Sequence, residues 1–258
     1  MSRNPLIALV MMLVLLVLMS APARAAAVGR FTMVAGQVDL LRQGKLPAAP
    51  AQVNDPVEPG DVIRTKSRSK AQLIFVDDTT LTLAPESRMA VADYVYAPES
   101  RERRAVLRLF KGLAHAVVSR VLKIQEPDFT VETMTAVIGV RGTDFYTLLT
   151  PNAAYVYLLQ GLLSTASANR ALPQAVLLKS RQKNRILLDQ APGPALALTR
   201  ADEDMLKRLM ETGVPADLEP PMEGPPGLVL PPSPEGPMPP TIPPLQHIRP
   251  KESPGDKR

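Results

Sequence analysis

Side chains able to carry out chemistry are scarce in this chain of 258 residues, and their spacing does not suggest catalysis. Histidine occurs twice, at His115 and His247, and cysteine not at all. That excludes thiol catalysis, disulfide exchange and cysteine-based metal sites, and leaves too few imidazoles for a metal centre built on them. His115 alternates with Leu113 and Val117, the spacing of a strand residue. Asp77 and Asp78 are adjacent acids, a pattern that acid catalysis or calcium binding uses. They also stand between two alternating runs, "KAQLIF" and "TTLTL", where a two-residue hairpin turn favours Asp for its tolerance of left-handed backbone. The turn needs fewer assumptions. Asp128, Glu132 and Asp144 are scattered, and no nucleophile elbow, phosphate-binding glycine loop or zinc-binding histidine pair occurs. The expectation is a non-enzymatic protein with no cofactor and no metal.

The cations offer more. Lys179, Arg181, Lys183 and Arg185 alternate in "LKSRQKNR". On one extended strand they form a single basic face, suited to an anionic glycan, a lipid head group or an acidic protein. If the chain turns at residues 180–182 the stripe breaks, and lysine-rich strands also serve simply to deter edge-to-edge aggregation. That plainer role is favoured. A lone cation, Arg141, interrupts the apolar run "TMTAVIGVRGTDFY" between Gly139 and Gly142. Its five donors suit a structural clasp at a chain bend, with Asp61 or Asp144 as partner. Tyr94, Tyr96, Tyr155 and Tyr157 are spaced at period 2, as in ordinary strand packing, and tryptophan is absent, which leaves a sugar-stacking surface as a weak alternative.

These residues need elements to position them. Residues 1–25, "MSRNPLIALVMMLVLLVLMSAPARA", read as a signal peptide: Arg3, an apolar run from Leu6 to Met19, and small residues at Ala23 and Ala25. The run is short for a membrane span, which needs about 20 apolar residues. Cleavage therefore leaves no transmembrane segment, and the mature protein is expected in the periplasm. Export makes nucleic acid an improbable partner despite the formal net charge of +5. Residues 214–258 hold more than half of the 28 prolines and read as a disordered, proline-rich tail of polyproline II stretches.

Between these ends, over residues 26–196, period-2 alternation predominates. It predicts an all-β domain, a β-sandwich or wound β-roll. "APESRERR" reads as a charged loop. "AVLRLFKGLAHAVV" is compatible with a helix, but Gly112 and the alternation after it favour strands. "AVLLKSRQKNRILL" reads as two strands around a basic turn. Gly precedes an alternating strand in "AGQVDL", "KGLAHAVV" and "QGLLSTAS", which predicts repeated bends. One short helix is expected over residues 197–213, in "TRADEDMLKRLMETG". Thr199 and Asp202 make a capping-box start, Leu206, Leu209 and Met210 an apolar face, and Gly213 a stop.

Two stretches, "GDVIRTKSRSKAQLIFVDDTTLTLAPESRMAV" and "FTVETMTAVIGVRGTDFYTLL", taken in this order, resemble the periplasmic FecR domain over about residues 55–165. The residues carrying the resemblance are Gly60, Asp61, Thr65, Phe75, Val140, Arg141, Gly142, Thr143 and Phe145. Family members often have Gly where this chain has Asp78, a mild change in a loop. The family is known from regulators that relay outer-membrane signals to sigma factors through a cytoplasmic segment before a membrane helix. Only about five residues precede the hydrophobic run here, so direct sigma-factor control is not expected to carry over. The resemblance implies a stand-alone exported module acting as an envelope sensor, adaptor or scaffold by binding another envelope protein. The alternative is a peptidoglycan- or envelope-glycan-binding protein.

Overall fold

The computed structural model describes residues 26–100, 102–119 and 128–222. Residues 1–25, expected to be a signal peptide, and residues 223–258 of the expected tail lie outside these, as does His247. Fifteen strands form one continuous sheet. In chain order they are β1 (Gly29–Ala35), β2 (Val38–Leu41), β3 (Ala49–Pro50), β4 (Pro56–Val57), β5 (Val62–Thr65), β6 (Lys70–Phe75), β7 (Thr80–Leu83), β8 (Arg88–Ala97), β9 (Glu102–Val117), β10 (Phe129–Glu132), β11 (Ala136–Leu149), β12 (Ala153–Ser167), β13 (Ala175–Lys179), β14 (Gln182–Leu187) and β15 (Leu196–Ala197). A helix, α1 (Arg200–Thr212), follows. The fold is all-β with a short helix near the end of the described chain. The stretch that could also have been helical is part of β9, as its alternation predicts.

Three long strands, β9, β11 and β12, each belong to two neighbourhoods. The first half of β9 pairs with β8 and β10, and its last residues with β7 and β11. Strand β11 pairs with β10 before Arg141 and with β9 from Asp144 onward. Strand β12 pairs with β14 up to Leu158 and with β13 from Leu162. The sheet thereby bends into two leaves. The first holds β1, β6, β7 and β14, and the second holds β2, β5, β8, β10 and β13. One apolar core lies between them, with Phe31, Leu73, Leu81, Phe145 and Val156 from the first leaf and Ile63, Met89, Leu107, Phe129 and Val140 from the second. The Phe75 ring of one leaf stacks on the Tyr94 ring of the other, centroids 4.7 Å apart.

The bends fall where glycine recurs in the sequence. Gly36, Gly112 and Gly161 have φ of 72°, 92° and 107°. Gly161 shows why: a Cβ there would stand 2.5 Å from the Gly142 carbonyl oxygen and 2.7 Å from the Thr143 methyl group. Only glycine lets β11 and β12 approach so closely in that conformation. Opposite them, Ser180 accepts a hydrogen bond from the Gly161 amide at 2.9 Å, and Arg181 takes φ 66°. Gly142, Gly161 and Ser180 thus draw one crease across three strands.

Two expectations about turns are corrected here. The hairpin between β6 and β7 exists, but Phe75 and Thr79 close it by backbone bonds, so its loop is the three residues 76–78 with Asp78 at φ 61°. That is the next most common hairpin connection, a turn followed by one left-handed residue. The basic stretch is no turn that reverses the chain. Strands β13 and β14 run in the same direction along one side of β12, as a single path kinked at Ser180–Arg181.

Another correction concerns the charged loop. Arg103 is not in a loop but in β9, 5% exposed, at the mouth between the leaves. Its guanidinium donates twice to Asp128 (2.7 and 2.5 Å), once to Asp77 (3.0 Å) and once to the Ser119 carbonyl (2.7 Å). Asp77 also accepts from the Thr79 amide, the Thr79 hydroxyl and, at 2.6 Å, the Tyr94 phenol. Burial opposes the charge on Arg103, yet the two carboxylates outweigh it and raise the guanidinium pKa further. Burial and then the negative charge of Asp77 push the Tyr94 phenol well above its ordinary range. Asp77 is therefore a turn residue and also an anchor joining the leaves.

Helix α1 lies on the outer side of the first leaf. Thr199 and Asp202 form the expected capping box, with Thr199 accepting from the Asp202 amide and Asp202 accepting from the Thr199 amide. Asp202, Leu206, Leu209 and Met210 make a buried stripe at helical spacing. They pack on Ala84, Leu113, Leu148, Ala153, Tyr155 and Tyr157. Val214, Leu218 and Met222, in the stretch after the helix, continue this contact.

Candidate functional site

The residues carrying the family resemblance divide by depth. Asp61 is fully buried and accepts from Arg42 (2.7 Å), the Gln43 amide and the Glu58 amide, which ties the loop before β5 to a 3-10 turn at Arg42–Gly44. Gly60, beside it, has φ 91°. Thr65 donates to the Ala84 carbonyl at 2.7 Å and accepts from the Ser87 amide. Phe75, Val140 and Phe145 are core residues. Thr143 exchanges backbone bonds with Val118. These build the bent sheet. Arg141 differs: it is half-buried, on the outward side of β11 immediately before the crease. Asp61 accepts from Arg42 and the Gln43 and Glu58 amides as above, Asp144 meets His115 Nε2 at 2.7 Å, and Arg141 has a polar or electrostatic contact of its own.

The four alternating cations do not share one face, because the kink at Ser180–Arg181 resets their direction. Lys179 ends β13 on the second leaf. Arg181, in the kink, pairs with Glu203 of α1. Lys183 is 1% exposed beneath α1, its ammonium on both Asp202 oxygens (2.8 and 2.9 Å) and the Pro221 carbonyl (2.8 Å). All three of its donors are thereby satisfied. Arg185 lies exposed on β14. The tyrosines form no ligand surface either, since Tyr94, Tyr155 and Tyr157 are buried and Tyr96 packs against the core.

The register instead assembles a surface that the sequence did not signal. The outward side of the second leaf carries no helix among the described residues. Its middle is small and polar: Thr130, Gly139 and Ser164 lie in one row across β10, β11 and β12. The neighbouring row runs Arg141, Leu162, Lys179, with the 37%-exposed leucine flanked by two cations. At ordinary strand spacing the outer two Cα atoms stand about 10 Å apart. Further along, Arg104 pairs with Asp93 (2.8 Å) and Arg108 with Glu132 (2.7 Å). Arg88 lies over the exposed Phe110 ring, 5.2 Å from its centre. A sheet face with small and polar residues at its middle, rimmed by cations and isolated apolar side chains, suits docking of a protein surface.

A half-buried cluster sits on the first leaf, where His115 stacks on Tyr146 (4.0 Å between centroids) and bonds Asp144. Burial, then Asp144 and Glu203, raise the Tyr146 phenol pKa. Strand pairing places Thr82 beside His115, and the Thr82 hydroxyl accepts from the Gln72 side-chain amide at 3.3 Å.

Residues 61–164 match the family model described as FecR protein, in good agreement with the span marked by the motifs. No curated protein matches the chain. Two crystal structures of a protein from Parabacteroides distasonis, described as a candidate anti-sigma factor, are similar at 13% and 14% identity with TM-scores of 0.42 and 0.41. Each alignment covers 53% of this chain and 59% of that one.

Proposed function

We propose, from the premise that residues 61–164 are a FecR domain, that this chain is a non-enzymatic binding module of the cell envelope. In this reading it works in the periplasm as a sensor, adaptor or scaffold, and a protein partner docks on the open outward side of the second leaf. The family is one of non-enzymatic regulators that act through protein contacts, which supports a signalling or regulatory role of this kind. The observation that carries the proposal is the division of the motif. Its other side chains are buried in the bent sheet, while Arg141 reaches the open face beside Leu162 and Lys179. Two cations around an exposed leucine suit a partner segment that presents acids on either side of an apolar residue.

Photo-crosslinking in cells tests it. A photoreactive residue at Leu162 should trap one acidic envelope protein, and the same residue at Leu188, 50% exposed beyond the end of β14, should not. Charge reversal by Arg141→Glu with Lys179→Glu should abolish the adduct. Equal labelling from both positions, or an adduct indifferent to the reversal, would sink the proposal.

A further inference from the structure

The segment that lies over the first leaf is fastened by both its ends at the start of β14. On the way in, the Leu198 amide donates to the Arg181 carbonyl at 2.8 Å, and the first turn of α1 follows beside Lys183. At about 1.5 Å per residue the helix then carries the chain roughly 20 Å away. Its far end rests on other elements. Glu211 pairs with Lys70 of β6, and Gly213 lies against the turn before β8, where an added Cβ would stand 3.3 Å from the Pro85 Cβ. On the way out the chain doubles back. The Leu218 amide donates to the Pro215 carbonyl, and the Pro221 carbonyl accepts from Lys183 Nζ, the same ammonium that holds both Asp202 oxygens in the first turn of the helix. One buried cation thus closes the helix and its return strap, residues 213–222, into a single loop.

Closure of this loop is a balance of opposed contributions. Leu206, Leu209 and Met210 of the helix and Val214 and Leu218 of the strap favour it by contact with Leu113, Leu148, Tyr155 and Tyr157. Against it stand polar groups stripped of water. Lys183 and Asp202 both give up hydration, which their attraction offsets only through good geometry. Tyr157 pairs with Lys183 in register, and its buried hydroxyl has no hydrogen-bond partner among the described residues. Burial, then the charge of Asp202, push that phenol pKa up. Lifting residues 199–222 would return all these groups to water and break no strand pairing. The outward side of the helix, with Arg200, Asp204, Lys207, Arg208 and Glu211, is exposed, so no described element holds it from outside.

We infer that residues 199–222 form a latched flap, hinged at Leu198 and held shut by Lys183, whose helix and strap lift from the first leaf together. Opening takes less free energy than unfolding the sheet, because it spares every strand. The open flap bares Leu113, Leu148, Tyr155 and Tyr157 as one apolar face. The latch is also the first attachment met by tension on the chain beyond residue 222, since Pro221 precedes the proline-rich stretch directly. A grip on that stretch therefore acts on Lys183 before it acts on the helix, which makes the flap a device for passing an event at the tail to the domain. The inference stands apart from the partner proposal, because it concerns the other leaf and uses none of the residues of the open face.

Hydrogen exchange of the full chain over a series of low denaturant concentrations tests this, with residues 204–212, Leu218 and strands β9 and β11 resolved. The helix amides and Leu218 should exchange through one shared opening, with protection at least about tenfold below that of β9 and β11. Lys183→Gln leaves the Thr199–Asp202 cap intact, and should lower protection along the whole helix and at Leu218 by one common factor of about ten or more. Fraying of the helix start would instead lower it in the first turn alone. Leu218→Ser is the milder variant, made in the strap, and should lower protection along α1 by about fivefold or more. Helix protection equal to that of β9 and β11 would overturn the inference. So would a Lys183→Gln effect that leaves Leu218 unmoved, or an α1 indifferent to Leu218→Ser.

Discussion

The outward sides of the two leaves obey the same alternation and end in opposite states. On the first leaf the outward positions of the central strands are Leu113, Leu148, Tyr155 and Tyr157, side chains that water solvates poorly, and α1 covers them. On the second, equivalent positions hold Thr130, Ser164 and Ala166, half-buried and with no helix over them among the described residues. The ion pairs follow the same division. Lys183 and Asp202 are 1% exposed under the helix, whereas Arg104–Asp93 and Arg108–Glu132 lie at the surface. The larger outward side chains of the first leaf thus lie under a helix, whereas the smaller ones of the second do not among the described residues.

The largest effect should come from the covered leaf. Lys183→Ala leaves Asp202 buried without its cation and should destabilise the fold by about 3–5 kcal/mol in denaturant unfolding. Next, Leu209→Ala empties part of the helix–sheet contact and should cost about 2–4 kcal/mol, while Ser164→Ala on the open leaf should change stability by less than about 0.5 kcal/mol. Smaller again, Arg108→Ala removes a surface pair and should cost under about 1 kcal/mol, with the difference shrinking in high salt.

The smallest effect concerns Asp39, which faces outward on β2 of the open leaf. Partial burial pushes its carboxyl pKa up, but hydrogen bonds from Arg64 and Lys66 outweigh that and hold it below the usual range. A folded-state pKa below the unfolded one makes this contribution present above about pH 4 and lost as pH falls through the folded value. The melting-temperature gap between wild type and Asp39→Asn should therefore narrow in acid. A gap that widened below pH 4 would reverse the sign of this linkage.

Much of the layout was legible in the sequence because it rests on local signals. Alternation marked the strands, Thr199 and Asp202 the helix start, and Gly36, Gly112 and Gly161 the bends. Depth was not legible. Arg103, Asp77 and Lys183 look like surface charges, and each is buried because a partner distant in sequence arrives through the packing of the two leaves or, for Lys183, through the docking of α1. The row Arg141, Leu162, Lys179 likewise comes from three strands in register, so no local pattern announces it.

The role of Arg141 is the most direct test of the account, and the measurement is the melting temperature of Arg141→Ala alongside its crosslinking yield from Leu162. An arginine whose business is on the open face predicts a melting temperature within about 3 °C of wild type and loss of the partner adduct. A fall of many degrees, or an adduct that survives intact, would contradict it and return Arg141 to the role of a clasp at the crease.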